Sequence, residues 1–389
     1  MDEMSVKLII MQSNLTLKGG AERVILKIAK HYNAKIYTAE YEQQNTFNEF
    51  KDIDIEVIGS KFLLNLLPYG RINQAINYGS AFYNFKLKED YDVINAHMAP
   101  SHWIRNKNIN VLWYCHTPLR DVYDLYKYRL SLKKYYQKPL YSLGRNVIKH
   151  IDKNIVNKIE FIFANSRNTE MRIKKFYNRN DAEVLNGGID YKLYENNGDK
   201  KYFLYPSRIS QNKRQDYAIR AFEIFKRKLR LNDKNKYKLI ICGALSKDKS
   251  FRNYYNEIKH QIKKIENAEL LLNIDEKKLH NLYSNATAVL YPPLNEDYGL
   301  VPLEAMASGK PIIAVNEGGP KETIVNNKTG FLINNENEMA ERMKYVAEHP
   351  AIAKEIGKNG MQRIKKYYSW DIFFEKFDKK INEMKKNGK

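Results

Sequence analysis

Cysteine is scarce in this chain. Only Cys115 and Cys242 occur among 389 residues, each inside an apolar, strand-like run. Two thiols argue against a disulfide-dense secreted scaffold and fit a reducing cytosol. They exclude a four-thiolate zinc site, and a mixed cysteine–histidine site lacks the close cysteine spacing it needs. Long apolar runs are missing too. The most apolar stretch, residues 62–67, is far too short to span a bilayer. No early stretch joins a basic region, an apolar core and a small-residue cleavage site, so residues 6–11 read as a first buried strand. The chain also lacks a dinucleotide G-x-G-x-x-G pattern, a P-loop, an internal repeat, and any helix-turn-helix, zinc-finger or RNA-binding signature.

Acid is in deficit: 66 basic against 45 acidic side chains give a net charge of +21. That balance favours polyanions, anionic lipid or a phosphate-bearing substrate. The 29 tyrosines supply rings on which bases stack. Charge and rings without a recognition motif count against nucleic acid as the partner, and heavy use of lysine places much of the excess on a solvated surface.

What is present is alternation. The length suffices for two α/β domains, each with its own core. Apolar runs at residues 6–11, 34–38, 55–58, 93–96, 111–115, 161–165 and 183–185 read as strands of a first half. A helix at 21–31 buries the stripe Val24, Ile25, Ile28 and Ala29. Residues 186–190 are the crossing point. A second series follows, with strands at 202–205, 238–242, 269–272, 287–291 and 312–315 and helices at 216–228 and 276–284. Such repetition predicts mostly parallel sheets covered on both faces by helices. The polar insertion 243–265 reads as a surface helix. The closing segment 370–384 is amphipathic through Phe373, Phe374, Phe377 and Ile381.

Several positions carry chemistry. Glu296 and Glu304 lie eight residues apart, joined through Gly299 and Pro302. Pro302 suits a first helical position, which predicts Glu304 in the first turn and Glu296 on the loop behind the strand 287–291. In open α/β sheets, that is where ligands bind. A first-turn glutamate is also favoured by the helix dipole alone, and Glu296 reads equally as a solvated loop acid. Gly19 and Gly20 sit between the first strand and helix, where exposed amides suit a phosphate or sugar oxygen, or form a plain turn. His116 ends the strand 111–115; it is either structural or a donor to a sugar hydroxyl or developing charge. Asp52-Ile53-Asp54 matches a D-x-D metal pattern superficially, but reads as a solvated strand end. The segment 120–149 interleaves Tyr123, Tyr126, Tyr128, Tyr135 and Tyr136 with lysine and arginine. It is either a solvated face or a cradle for a phosphorylated or lipid-linked acceptor at a membrane surface.

The stretch Glu296-Asp297-Tyr298-Gly299-Leu300-Val301-Pro302-Leu303-Glu304 resembles the donor-site signature of the GT-B glycosyltransferases of family 4, retaining enzymes that use nucleotide sugars. Gly19-Gly20-Ala21-Glu22-Arg23, Tyr114-Cys115-His116-Thr117-Pro118, Asn186-Gly187-Gly188-Ile189-Asp190, Arg208 with Lys213, and Gly318-Gly319-Pro320-Lys321-Glu322 extend the resemblance in order over nearly the whole chain. It implies an α/β GT-B fold of two Rossmann-like domains facing each other across a deep crevice. Residues 1–190 would form the acceptor-side domain and 191–369 the donor domain, with 370–389 a helix returning to the first domain.

The resemblance also assigns roles. Arg208 and Lys213 would hold the diphosphate and stabilise its departure without a divalent metal, with Arg214 sharing that role or facing solvent. Glu296 and His116 would contact the transferred sugar, and Glu304 the ribose. Gly19 and Gly20 would approach the diphosphate and acceptor, backbone amides of Tyr298, Gly299, Leu300 and Val301 the phosphate or sugar oxygens, and Gly318 with Gly319 the nucleotide. The segment around His116 is similar to that of mannosyltransferases using GDP-mannose to build glycans or lipid-linked acceptors. That implies a cytoplasmic enzyme, peripheral on a membrane face. A UDP-sugar enzyme of the same fold and a noncatalytic basic nucleotide- or nucleic-acid-binding protein are the alternatives.

Overall fold

The computed structural model describes residues 6–59, 71–233, 235–245 and 250–387. The apolar run 62–67 and residues 246–249 of the polar insertion lie outside the described residues. The chain divides into two compact units, Met1–Gly187 with Phe374–Lys389, and Gly188–Phe373.

In the first unit the described strands are β1 (Leu8–Gln12), β2 (Lys35–Thr38), β3 (Ile55–Val57), β4 (Val93–Ala96), β5 (Val111–Cys115), β6 (Phe161–Ala164) and β7 (Glu183–Val184). They form one parallel sheet in the order β3-β2-β1-β4-β5-β6-β7. β1, β4 and β5 are buried at every position, as expected of strands covered on both faces. The first strand begins at Leu8 rather than at residue 6, because the Lys7 amide leaves the ladder for the Asp92 carboxylate at 2.8 Å.

The second unit repeats the plan with β8 (Tyr202–Pro206), β9 (Lys238–Gly243), β10 (Ala268–Leu272), β11 (Ala288–Tyr291), β12 (Ile312–Val315) and β13 (Gly330–Ile333), ordered β10-β9-β8-β11-β12-β13. Strand order reverses between β1 and β4 in one sheet and between β8 and β11 in the other. The loops beyond the carboxyl ends of those strands are the ligand-binding positions of open α/β sheets.

The polar insertion does contain a helix, Ser250–Lys263, that buries Tyr254, Ile258 and Ile262. The closing helix is Trp370–Asn387, and its later part packs within the first unit. There Phe374 stacks on His31 at 3.9 Å, Asp378 accepts from the Tyr32 hydroxyl at 2.5 Å, and Lys385 pairs with Asp92 at 3.3 Å.

The helix Lys138–Val156 is buried mainly in its second half, at Ile148, Asp152, Ile155 and Val156. Asp152, fully buried, accepts from His102 and Trp103 at 2.8 Å, Tyr177 at 2.8 Å and Tyr123 at 3.0 Å. Towards its start the same helix exposes Leu140, Leu143 and Val147. Four donors on one carboxylate satisfy a group that would be costly to bury alone, and they fix this half of the helix against the sheet.

Candidate functional site

Three loops meet at the switch point of the second sheet. The loop after β8 carries Arg208 and Lys213, the loop after β11 carries Glu296 and Tyr298, and the loop after β12 carries Glu317, Gly318 and Gly319. Lys213 Nζ donates to Glu296 Oε2 at 2.6 Å, joining the first two loops by a half-buried charge pair. A backbone bond from the Leu294 amide to the Asn212 carbonyl, 2.8 Å, reinforces the junction. The Gly319 amide donates to the Glu296 carbonyl at 2.8 Å, and the Asn295 amide to Glu317 Oε2 at 3.1 Å. Gly318 is at φ +58°, and a Cβ there would stand 2.2 Å from the Glu296 carbonyl oxygen. Only glycine lets the third loop come this close without strain. Arg214 was expected to share the role of Lys213 or to face solvent. It bonds Glu317 Oε1 at 3.3 Å and bridges the first and third loops, with part of its side chain still exposed.

One expectation needs correction. The helix after the β11 loop is Leu300–Ala307, capped by Gly299, so Pro302 is its third residue and Glu304 lies beyond the first turn. The physical reason is Gly299 at φ +83°, which turns the chain straight into the helix two residues early. Pro302 remains where a missing amide hydrogen is harmless. Gly299 has no side chain to cap the first turn, and a helix start of this kind favours an anion or an oxygen-rich group near Leu300 and Val301. Glu304, one turn further on, accepts from the Tyr283 hydroxyl at 2.5 Å. Burial raises the Tyr283 phenol well above its ordinary pKa, and the Glu304 charge adds to this, so Tyr283 stays a donor. Burial also pushes the Cys242 thiol up to about 12, with Glu304 contributing.

Tyr291, at the end of β11, joins these groups. It is buried, and burial raises its phenol well above the ordinary value; Glu296 and Glu304 add to the shift while Arg208 opposes it. Arg208 itself is exposed. The second unit therefore brings Lys213 and Glu296 into contact and sets Arg208 and Glu304 within electrostatic reach of one phenol.

The first unit holds the remaining expected residues. Gly19 caps the helix Gly20–Tyr32, with Glu22 buried in its first turn. A Cβ on Gly19 would stand 2.5 Å from Glu22 Oε2, so a carboxylate already lies over this loop. His116, 8% exposed, follows β5; its Nε2 lies 3.0 Å from Nδ1 of His97, the residue after β4. His97 Nε2 lies 2.7 Å from Asn95 Oδ1. Burial lowers His116 to about 3, and burial with the neighbouring ring holds His97 well below its usual range, so both are neutral near pH 7. Asp52 and Asp54 are both exposed, either side of Ile53 before β3. Among the described residues no group of three or more His, Cys, Asp or Glu is placed to hold a metal ion.

Sequence reasoning missed His97, Asn95, Tyr283, Tyr291 and Glu317. Tyr291 alone had a visible signal, as the last residue of an apolar run entering the signature loop.

Two parallel Rossmann-like sheets in one chain are the architecture of the GT-B class of sugar transferases. The family described as Glycosyltransferase Family 4 matches residues 18–193, and Glycosyl transferases group 1 matches residues 192–363. Similar curated proteins include the alpha-1,3/1,6-mannosyltransferase ALG2 of Dictyostelium discoideum, 28% identical over 98% of this chain and 99% of its own. The Homo sapiens protein of that name is 26% identical over 94% and 93%. Among solved structures, Anabaena HepE in complex with UDP and glucose has a TM-score of 0.73 at 15% identity, covering 97% of this chain and 99% of that one. Sucrose-phosphate synthase from Thermosynechococcus elongatus gives 0.75 at 17%, again with 97% and 99% covered. The chain belongs to glycosyltransferase family 4 and is a hexosyltransferase that uses a nucleotide-sugar donor. Among the described residues, no helix is long and apolar enough to cross a membrane.

Proposed function

We propose that the protein is a retaining mannosyltransferase that moves mannose from GDP-mannose to a hydroxyl of a glycan or lipid-linked, phosphate-bearing acceptor. The observation that carries this reading is the Lys213–Glu296 pair beside the uncapped start of the helix Leu300–Ala307. Similarity to alpha-1,3/1,6-mannosyltransferases over nearly the whole chain supports the sugar.

In this reading Arg208 and Lys213 bind the diphosphate, and the amides of Tyr298, Gly299, Leu300 and Val301 take phosphate or sugar oxygens. Glu304, oriented by Tyr283, accepts from the ribose hydroxyls. Glu296 and His116 bond hydroxyls of the mannose. The bond from the anomeric carbon to the diphosphate oxygen breaks, its electron pair passing to the diphosphate. The acceptor oxygen attacks from the same face, and its proton passes to a diphosphate oxygen. Fixed cations at the leaving group stabilise charge that grows only in the transition state. Gly19 and Gly20 serve the acceptor side, since the Glu22 carboxylate over that loop suits hydroxyls better than phosphate. Calorimetry with GDP, GDP-mannose, UDP and UDP-sugars, with and without magnesium, tests the reading. Magnesium-independent preference for the guanosine ligands is expected; preference for the uridine series would overturn the donor assignment and keep the mechanism.

A specific surface favours a membrane-side acceptor. Tyr135, at 84% exposed, Leu140 at 75% and Leu143 at 62% stand beside Tyr128, Leu132, Tyr136 and Val147, all exposed within twenty residues of chain. Lys127, Lys133, Lys134 and Lys138 belong to the same segment. An apolar stripe with basic neighbours fits an anionic bilayer surface. Co-sedimentation with phosphatidylglycerol vesicles should fall several-fold for Leu140→Glu with Leu143→Glu, and equal binding by the variant would refute this face.

A further inference from the structure

We propose that His97, held by Asn95, is a positioning residue that fixes His116 as the tautomer with its proton on Nε2 and a bare Nδ1. The inference rests on the reading of His116 as a sugar contact and says which partner that sugar must offer.

The chain of bonds leaves a single assignment. Asn95 Nδ2 donates to the Leu112 carbonyl at 3.4 Å, which turns Oδ1 towards His97. An amide oxygen only accepts, so His97 carries its hydrogen on Nε2, 2.7 Å away. A second hydrogen on His97 would make it a cation. It is fully buried among β1, β4 and β5 and their following loops, where it meets Asn95, His116, Trp113, Tyr114 and Ser101, and no carboxylate among the described residues contacts it. His97 is therefore neutral and its Nδ1 accepts. The atom 3.0 Å away, His116 Nε2, then has to donate. His116 is neutral as well, which leaves Nδ1 without hydrogen, and no described residue bonds that atom. The imidazole offers substrate only a lone pair. It accepts from a hydroxyl and cannot protonate a leaving group.

The geometry is secured from two strands. Ala96 pairs with Trp113 across β4 and β5, and the Asn165 side chain donates to the His116 carbonyl at 3.0 Å, so backbone and ring are held separately. The tautomer thus depends on a backbone carbonyl, Leu112 O, three hydrogen bonds away from the His116 ring.

Two-bond proton–nitrogen correlation spectra of 15N-histidine-labelled full-length protein at pH 7 read the tautomer directly. His116 is expected neutral with Nε2 protonated. Asn95→Asp, nearly isosteric, places a carboxylate on His97 and favours its imidazolium; His97 Nδ1–H then donates and drives the His116 proton to Nδ1. That variant should show the reversed pattern and lose roughly tenfold in kcat/KM for the nucleotide sugar. Wild-type His116 protonated on Nδ1, or charged, would overturn the proposal, as would an unchanged tautomer in Asn95→Asp whose His97 has become charged. Failure of the sugar-contact reading is distinguishable: His116→Ala would then keep wild-type turnover while the wild-type spectrum still showed the Nε2 proton.

Discussion

The two sheets share a plan and end in opposite electrostatics. At the switch point of the second, Lys213 and Glu296 form a charged pair, with Arg208 and Arg214 on the same loop. In the first, the carboxyl ends of β4 and β5 carry two buried, neutral imidazoles, His97 and His116, braced by the Asn95 amide within β4. The same topology thus presents fixed charge on one unit and fixed, uncharged hydrogen bonding on the other. Charge suits a diphosphate that gains negative charge as its bond breaks; neutral acceptors suit sugar hydroxyls, which do not change charge. The contrast divides the chemistry by unit without requiring any residue to serve both purposes.

The largest expected effect comes from breaking the charged side. Lys213→Ala should lower kcat by about 10²–10³, or roughly 3–4 kcal/mol of transition-state stabilisation, as for other groups aimed at developing charge. Glu296→Gln sharpens the same point in the opposite direction for binding. With its partner gone, Lys213 is free for phosphate, so affinity for the bare nucleoside diphosphate should rise while sugar transfer falls. Parallel losses of binding and transfer in both variants would argue that the pair is only structural.

The neutral side should reveal itself in stability. His116 titrates near 3 in the folded protein against about 6.5 unfolded, and His97 is shifted the same way. Above pH 6.5 neither state binds the extra proton, so these groups give no slope. As pH falls below 6.5 the unfolded chain takes up protons that the native state refuses, and stability declines. Each imidazole contributes up to about 1.4 kcal/mol per pH unit across that window. Urea midpoints measured from pH 7.5 to 5 should therefore fall more steeply for wild type than for His97→Gln with His116→Gln, and equal slopes would contradict the buried neutral pair.

The smallest effect tests orientation. Tyr283→Phe removes one donor from Glu304 and should weaken nucleoside diphosphate binding a few-fold, near 1 kcal/mol, with kcat little changed.

Much of this arrangement was legible in the residues. Apolar runs located both parallel sheets because buried parallel strands need continuous hydrophobicity, and β5 and β12 fall at the residues expected. The signature from Glu296 to Glu304 located the second unit's loop cluster. The start of its helix was misjudged because Pro302 is a strong local signal, whereas the decisive conformation belongs to Gly299. β13 was not read as a strand: it is a short run, Gly330–Ile333, begun by glycine. His97 was invisible for a different reason. Its meaning depends on β4 lying beside β5, a pairing that no local pattern encodes. Tyr283 and Tyr291 likewise look like core aromatics until the fold brings carboxylates near their hydroxyls.

The central claim is that the charged loops of the second unit hold a nucleotide sugar. The most direct test is titration calorimetry of GDP-mannose and GDP into wild type, Lys213→Ala and Glu296→Gln. The account predicts binding by wild type, weakened for both ligands in Lys213→Ala, with tighter GDP binding in Glu296→Gln. Equal affinities in all three folded proteins would contradict it.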